Sequence, residues 1–232
     1  MIDHQIVTHE DWIAARRRFL AKEKEFTRLR DQLSRERREL PWERVEKPYV
    51  FQSEKGRESL ADLFEGRSQL IVYHFMYDPN WDVGCKSCSF WADNFNGVIA
   101  HLKQRDVSLV AVSRAPLLKL QAQARSLGWT FKWVSSADTD FNFDYHVSFT
   151  PADFARDRVY YNYATQKPTR TDLPGVSAFF RDEGEIFHTY SAYSRGIDML
   201  NVAYHYLDLT PKGRDEDALP YPMAWVRHRF AY

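Results

Sequence analysis

Apolar positions near the start of the chain recur at a fixed interval and are separated by charged side chains. The recurring residues lie seven apart: Trp12, Phe19, Phe26, Leu33 and Leu40. A repeat of this period predicts an amphipathic helix over residues 8–40 with one narrow apolar stripe. Such a stripe fits two arrangements, packing against the helix's own domain or pairing with a partner helix as a dimerisation arm.

The pattern changes at Pro41, which ends the helix, and a connector through residue 48 leads into alternating strands and helices. Apolar runs predict strands at 69–77, 107–112, 131–134 and 159–163, and helical periodicity predicts helices at 85–104, 116–127 and 196–207. Thr150 and Pro151 mark a further helix start. Residues 165–174 are predicted as a loop, and 176–180 with 185–190 as a hairpin.

This order of elements predicts the fold class. Strand, helix and strand between residues 69 and 112 make a βαβ unit with two parallel strands. A hairpin and a helix follow, which gives a central mixed sheet covered by helices. We therefore expect an α/β chain with a charged helical arm and connector at 1–48, and one domain with a C-terminal tail at 49–232.

Composition narrows the classes of partner. The 232 residues carry 32 lysines and arginines against 32 aspartates and glutamates, with a pI near 7.1. This balance argues against nucleic-acid binding through bulk basic charge, and residues 1–40 hold ten basic and eight acidic side chains. No apolar run is long enough for a membrane helix and the start lacks a secretory leader, so we expect a cytoplasmic protein without membrane contact.

The two cysteines carry the candidate chemistry. Cys85 and Cys88 form a C-x-x-C motif that follows a predicted buried strand and begins a predicted helix. Free N–H groups at a helix start favour a thiolate, so Cys85 is expected to have the lower pKa. Its thiolate would attack a disulfide or a peroxide, and Cys88 would resolve the intermediate and leave a Cys85–Cys88 disulfide. The reaction requires no bound cofactor, because a cellular thiol system can supply the electrons.

Two other interpretations of the pair stay open from the residues alone. A metal site would need two further ligands, and His101 lies about four and a half turns beyond Cys85 along the predicted helix. A chemically idle pair is also consistent with the motif, because buried cysteine often acts as a small hydrophobic residue.

Five segments of the chain are long and specific enough to indicate a family. They are Gln69–Tyr77, Gly84–Trp91, Val110–Pro116, Gly128–Ser136 and His188–Gly196. In these segments, and over nearly its whole length, the chain resembles the bacterial DUF899 family, an uncharacterised branch of the thioredoxin-like superfamily. The resemblance implies a thioredoxin-like fold and no established substrate.

The similarity to thioredoxin itself is looser. Thioredoxin has Trp-Cys-Gly-Pro-Cys where this chain has Gly84-Cys85-Lys86-Ser87-Cys88, so neither redox potential nor partner choice carries over. The same resemblance makes Pro174 the nearest candidate for the cis-proline that faces the motif in thioredoxins. His74 stands where thioredoxin has a buried acid, and is either a proton relay to Cys88 or a strand histidine that is only hydrogen-bonded.

Peroxiredoxins offer a second comparison. They place a threonine three residues and a proline seven residues before the nucleophile, where this chain has Asp82 and Asp78, so the peroxidatic motif is absent. Arg114, after a predicted strand end, and Arg195 are candidates to support a thiolate or an anionic substrate, with a structural or surface role as the alternative.

The leading hypothesis from the sequence is a thiol–disulfide oxidoreductase with Cys85 as nucleophile and Cys88 as resolving thiol. Its substrate would be a protein or small-molecule disulfide or a peroxide. The alternative is a binding or assembly protein that keeps the thioredoxin-like fold without catalysis and forms a homodimer through the N-terminal helix. The apolar stripe and the aromatic content of 16% motivate this alternative.

Overall fold

Residues 4–232 are described by the computed structural model, and they divide into two units between Pro41 and Trp42. The first unit contains one helix, α1 (His9–Arg38), which Thr8 caps by accepting a hydrogen bond from the N–H of Asp11. None of the α1 side chains is buried, and the stripe residues Phe19 and Phe26 expose 57% and 66% of their surface.

The second unit begins at Trp42 and contains the other regular elements. Its strands are β1 (Glu43–Arg44), β2 (Val50–Ser53), β3 (Gly56–Ser59), β4 (Gln69–His74), β5 (Val107–Ser113), β6 (Lys132–Ser135), β7 (Val159–Tyr161), β8 (Ala164–Gln166), β9 (Gly175–Asp182) and β10 (Glu185–Tyr193). Its α-helices are α2 (Lys86–Ala92), α3 (Phe95–Gln104), α4 (Leu117–Leu127), α5 (Phe141–Asp144), α6 (Pro151–Ala155) and α7 (Val202–Leu207).

Eight of the strands form one mixed sheet in the order β1-β10-β9-β4-β5-β6-β2-β3, and β7 pairs with β8 outside it. β4, β5 and β6 are parallel, and β9 is antiparallel to β4 on its other side. A strand–helix–strand half (β4 to β5) and a hairpin–helix half (β9 to α7) thus share the sheet, which is the thioredoxin-like arrangement. The predicted fold class is confirmed.

The central strand β4 is buried on both faces of the sheet. Tyr73 packs edge-on against Phe95, with ring centroids 5.1 Å apart, in one apolar cluster. His74 lies on the opposite face, where its ring centroid is 5.6 Å from that of Phe141. Because side chains alternate along a strand, β4 contributes to the core on both sides of the sheet.

Two predicted helices differ from the structure. The segment 85–104 is two helices, because the Asn94 amide donates hydrogen bonds to the carbonyl oxygens of Phe90 and Trp91, both at 3.2 Å, and occupies the acceptors that would extend α2. The segment 196–207 begins as a 3-10 helix, Ser194–Leu200, and Asn201 then caps α7 by accepting from the N–H of Tyr204.

Two segments predicted as irregular contain strands. β8 lies partly in the predicted loop and pairs with β7 across a turn in which Asn162 and Tyr163 have φ values of 53° and 60°. No glycine marks this left-handed turn, so the pattern gave no hairpin signal. Within the predicted connector 41–48, β1 pairs with β10, and residues 43–44 therefore belong to the sheet.

A chain of hydrogen-bonded polar side chains crosses the His74 face of the sheet. His74 Nε2 contacts Ser177 Oγ at 2.8 Å, Ser177 Oγ contacts Ser191 Oγ at 2.7 Å, and Ser191 Oγ contacts His188 Nε2 at 2.7 Å. The two serines are buried on adjacent strands, so each hydroxyl satisfies groups that water cannot reach.

Ser177→Ala is therefore expected to lower the free energy of unfolding by about 1–3 kcal/mol, because it leaves His74 Nε2 and the Ser191 hydroxyl without their shared partner. Urea unfolding followed by tryptophan fluorescence measures the change. The control is Ser126→Ala, since the exposed Ser126 hydroxyl bonds only to the nearby Gln123 carbonyl. It should change stability by less than about 0.5 kcal/mol. Equal losses in the two variants would contradict the structural role of the polar chain.

Candidate active site

The C-x-x-C motif follows the C-terminal end of β4. Cys85 is the N-cap of α2, and Cys88 lies one turn into that helix. The backbone N–H of Cys88 donates to the Cys85 sulfur at 3.5 Å, and the backbone N–H of Cys85 donates to the Met76 carbonyl at 3.1 Å. Both cysteines are free thiols. The sulfur at the start of the helix is thus held where a backbone N–H can stabilise its thiolate.

The two thiols differ in exposure and acidity. Cys88 exposes only 2% of its surface, whereas Cys85 is half-buried. A hydrogen bond from the Cys88 thiol lowers the pKa of Cys85 to about 6 against the effect of burial, helped by the N–H groups of Cys88 and Ser87 and by the charge of Arg170. Burial, and then the adjacent Cys85 sulfur, raises the pKa of Cys88. The lowered pKa of Cys85 favours its thiolate at neutral pH, and the raised pKa of Cys88 favours the neutral thiol.

Close packing determines the conformation of the turn that carries Cys85. The Gly84 N–H donates to the side-chain oxygen of Gln123 at 2.7 Å. A Cβ atom at Gly84 would lie 2.8 Å from the Phe75 ring, inside the normal separation of nonbonded carbon atoms. The Ser89 hydroxyl donates to the Cys85 carbonyl at 3.0 Å. The position before the motif therefore has room only for glycine.

Tyr73, on β4, is the polar side chain beside Cys88. The two residues belong to one buried cluster, and Tyr73 exposes 1% of its surface. Burial raises the pKa of the Tyr73 hydroxyl well above its usual value, and the Cys88 and Cys85 sulfurs next to it add to this effect. The hydroxyl makes no well-formed hydrogen bond within residues 4–232. It is an unsatisfied buried donor next to the Cys88 sulfur.

A buried ion cluster follows the ends of β4 and β5. The Arg114 guanidinium binds both Asp78 and Asp172, with 2.7 Å between Nη2 and Asp172 Oδ1. Ser148 donates to the same Asp172 oxygen at 2.8 Å. Burial raises the pKa of Asp172 although Arg114 opposes this, whereas hydrogen bonds from the Asn80 N–H and Arg114 overcome burial and lower the pKa of Asp78. The cluster joins the segments that follow two parallel strands to the segment before β9.

The family model described as "Bacterial protein of unknown function (DUF899)" matches residues 1–232. The chain belongs to the DUF899 family. This confirms the family resemblance that five segments of the sequence indicate, and the strand order described above is the thioredoxin-like order that the resemblance implies.

Three solved structures are similar to the DUF899 chain at low identity. Peroxidoxin BcpB from Mycobacterium tuberculosis is 12% identical, with 68% of this chain and 92% of that chain covered and a TM-score of 0.47. Peroxiredoxin Q from Xanthomonas campestris is 13% identical, with 66% of this chain and 85% of that chain covered and a TM-score of 0.45. A hypothetical protein from Sinorhizobium meliloti 1021 is 12% identical, with 63% of this chain and 68% of that chain covered and a TM-score of 0.39. A comparison with curated proteins finds no match. At these scores, the solved structures assign neither a reaction nor a residue role to the DUF899 chain.

Of the two roles that the sequence leaves open for His74, the structure favours the hydrogen-bonded strand histidine, whose Nε2 contacts Ser177 Oγ at 2.8 Å. Because side chains alternate along β4, Tyr73 faces the cysteines and His74 faces the other side, stacked 5.9 Å from the Tyr145 ring. Burial lowers the pKa of His74 to about 3, so it stays neutral at physiological pH. His74 does not reach Cys88. Strand alternation could have indicated Tyr73, because it points to the opposite face of the sheet from His74.

Arg114 and Arg195 are in the structural and surface surroundings that the sequence offered as the alternative to a role beside the thiolate. Arg114 binds two carboxylates, and the cation that lowers the pKa of Cys85 is instead the exposed Arg170, in the segment before β9. Arg195 binds Asp198 at 2.7 Å and is 78% exposed. The described residues contain no cis peptide bond, so Pro174 is not a cis-proline; its carbonyl accepts from the Tyr161 hydroxyl at 2.7 Å. Arg170 carried no sequence signal beyond its place in that loop.

Two further features, a metal-ligand cluster and a membrane-spanning helix, were sought in the part of the chain that the structure describes. Within residues 4–232, no three His, Cys, Asp or Glu side chains are grouped to hold a metal ion. Over the same residues, none of the helices has the length and apolar character that crossing a bilayer requires.

The acidity of Cys85 is directly measurable. Its alkylation rate should follow a titration with a midpoint near pH 6, because the neighbouring thiol and N–H groups stabilise the thiolate. Cys88→Ala should move the midpoint upward, because it removes the main hydrogen-bond donor. Mass spectrometry of the reduced protein alkylated across a pH series provides the rates, and Cys85→Ser is the control for reaction at Cys88. A wild-type midpoint at the value of an ordinary thiol, about 8.5, would contradict the assignment.

Proposed function

We propose that this DUF899 protein is a thiol–disulfide oxidoreductase in which Cys85 is the nucleophile and Cys88 is the resolving thiol. One observation carries the proposal: the two neighbouring sulfurs have different surroundings. Cys85 is half-buried at the start of α2 and accepts the N–H of Cys88, which lowers the pKa of Cys85, whereas Cys88 is buried one turn deeper, which raises the pKa of Cys88. An idle pair in an apolar core would have both pKa values raised by burial. The observed asymmetry is the one that an attacking thiol and a resolving thiol require.

The reaction transfers two electrons from the cysteines to a substrate disulfide, R–S–S–R′. The Cys85 thiolate attacks one substrate sulfur, the substrate S–S bond breaks, and R′S⁻ leaves and takes a proton from water. Cys88 then loses its proton to solvent and attacks the Cys85 sulfur. RS⁻ leaves, takes up a proton, and the Cys85–Cys88 disulfide forms. A cellular dithiol restores the reduced pair by the reverse exchange, so no resident cofactor enters the cycle.

A hydroperoxide is the second substrate class that this chemistry accepts. The Cys85 thiolate attacks the terminal peroxide oxygen, the O–O bond breaks, and an alcohol leaves after taking up a proton. Cys88 then displaces water from the sulfenic acid and forms the same disulfide. Arg170 is an exposed cation near Cys85. It favours a substrate that carries an anionic group beside its reactive bond, and this substrate can be a protein or a small molecule. A resting dithiol fits a reducing compartment such as the cytoplasm.

Cys88→Ser tests the two-step reaction because it removes the resolving thiol and keeps the nucleophile. Reduced variant mixed with oxidised glutathione should gain the mass of one glutathionyl group, while reduced wild type should lose two hydrogens. Cys85→Ser is the matched control and should form neither product. Intact-mass spectrometry measures all three, and a hydroperoxide in place of the disulfide compares the substrate classes. A wild type that remains a dithiol with both oxidants would favour the non-catalytic binding protein.

We further propose that α1 mediates assembly by pairing with α1 of a second copy. The observation that favours this is the stripe of exposed apolar side chains with a seven-residue period, which includes Trp12, Phe19 and Phe26. A strict seven-residue period forms a continuous seam between two helices. The many charges on the rest of the helix keep its other faces in water.

Phe19→Glu is expected to convert a dimer to a monomer, because it inserts a charge into the seam. Ala21→Glu is the matched control: it adds the same charge to an exposed position on the opposite side of α1 and should leave the dimer intact. Light scattering after size exclusion measures the mass in solution. A monomeric wild type removes the assembly role and leaves the redox proposal unaffected.

A further inference from the structure

We infer that Tyr73 is a third catalytic residue, whose hydroxyl donates a hydrogen bond to the Cys88 sulfur while that sulfur carries negative charge. The inference rests on the proposed thiol–disulfide function and concerns its second step, in which Cys88 attacks the Cys85 sulfur. It assigns to the strand before the motif a role that neither cysteine can perform.

The backbone holds Tyr73 in place from both sides. It lies opposite Ala111 of β5 and opposite Val176 of β9 in the register of the sheet. Its ring packs edge-on against Phe75 and Phe95, with centroid distances of 6.2 Å and 5.1 Å. With 1% of its surface exposed, the side chain cannot turn its hydroxyl toward water. This packing holds the Tyr73 side chain in the buried cluster that it shares with Cys88.

The Tyr73 hydroxyl has no hydrogen-bond partner, and this indicates that it interacts with the thiolate of Cys88 rather than with the neutral thiol. A buried hydroxyl without a partner is unfavourable, and the fold retains one here. A neutral thiol is a weak acceptor, whereas a thiolate accepts a strong charge-assisted hydrogen bond. The Tyr73 contact therefore strengthens as charge develops on the Cys88 sulfur. An interaction that is stronger in the transition state than in the ground state accelerates the step.

Cys88 has few other groups that could stabilise its charge. Burial and the Cys85 sulfur raise its pKa, and the Met76 backbone and the Tyr73 hydroxyl act in the opposite direction. Tyr161 of β7 also lies near Cys88, but its hydroxyl donates to the Pro174 carbonyl at 2.7 Å. The nearby cation, Arg170, acts on Cys85. On the opposite face of β4, His74 is neutral and separated from the sulfur by the sheet.

The size of the effect follows from the two ways in which acidity changes a thiol's reactivity. For a thiol with a pKa above the ambient pH, a tenfold gain in acidity raises the thiolate fraction about tenfold and lowers its nucleophilicity about threefold. The net gain in attack rate is about threefold. A charge-assisted hydrogen bond that changes acidity ten- to hundredfold should therefore change the rate of resolution by about three- to tenfold.

Tyr73→Phe tests the inference in a single-turnover reaction with a chromogenic nitrobenzoate disulfide, which releases one coloured thiolate in each step. The fast first release reports attack by Cys85, and the second reports resolution by Cys88. We expect Tyr73→Phe to leave the first phase unchanged, to slow the second by about three- to tenfold, and to move its pH midpoint upward. Cys88→Ser should abolish the second phase and so identifies it.

A stability measurement separates this role from a structural one. Because the Tyr73 hydroxyl is unsatisfied in the reduced protein, Tyr73→Phe should leave the unfolding midpoint unchanged or raise it. The matched control is Tyr193→Phe, a buried tyrosine whose hydroxyl donates to the Tyr145 carbonyl at 3.1 Å. It should lower the unfolding midpoint and leave both kinetic phases unchanged.

The outcomes distinguish this inference from the function on which it rests. A wild-type second phase in Tyr73→Phe, with the wild-type pH midpoint, would overturn the role of Tyr73 and leave the oxidoreductase proposal standing. Equal slowing of both phases would also overturn it, because the defect would then not be specific to Cys88. If wild type releases coloured thiolate no faster than free cysteine does, the proposed function itself fails.

Discussion

The position of β4 in the middle of the sheet is the constraint on which the rest of this structure depends. Hydrogen bonds to β5 on one side and β9 on the other fix its register. That register determines which side chains face α2 and which face the opposite core, and it delivers the chain to Cys85 at a defined edge. A shift by one residue would exchange Tyr73 and His74, and with them the polar environments of both faces.

This placement gives the Cys85 and Cys88 sulfurs different burial and pKa shifts in opposite directions. Cys85 lies where α2 begins, and at pH 7 a pKa of about 6 makes it predominantly a thiolate. Cys88 lies one turn deeper, among Trp91, Phe95 and Tyr73, where burial disfavours its ionisation. The same thiol that stabilises Cys85 at rest must itself ionise for the second step of the proposed reaction. A donor that stabilises the ionised Cys88 would explain why the fold keeps the Tyr73 hydroxyl buried without a hydrogen-bond partner, although this is energetically unfavourable.

The two other buried polar systems serve the fold. Arg114 with Asp78 and Asp172 holds together segments that follow β4 and β5 and that precede β9. Removing one member would leave a buried charge without its partner, which is among the most destabilising single changes in a protein core. The serines and histidines on the opposite face connect β4, β9 and β10. Both systems stiffen the strands that position the motif.

The sequence by itself determined those features that depend on neighbouring residues. The period of α1, the order of strands and helices, and the placement of C-x-x-C between a strand and a helix follow from local spacing and capping. The hydrophobic pattern did not predict the break between α2 and α3 at Asn94, because a side-chain hydrogen bond to the helix end leaves no periodic signal. It also did not predict the β7–β8 hairpin, because the turn contains no glycine.

Only the tertiary structure decided which polar groups meet the sulfurs. Tyr73 rather than His74 faces Cys88, and Arg170 rather than Arg114 acts on Cys85. Both outcomes depend on strand register and on the path of a segment some eighty residues beyond the motif. Local preference sets the conformation of a segment, but pairing between distant segments sets the direction in which each of its side chains points and the groups that it meets there.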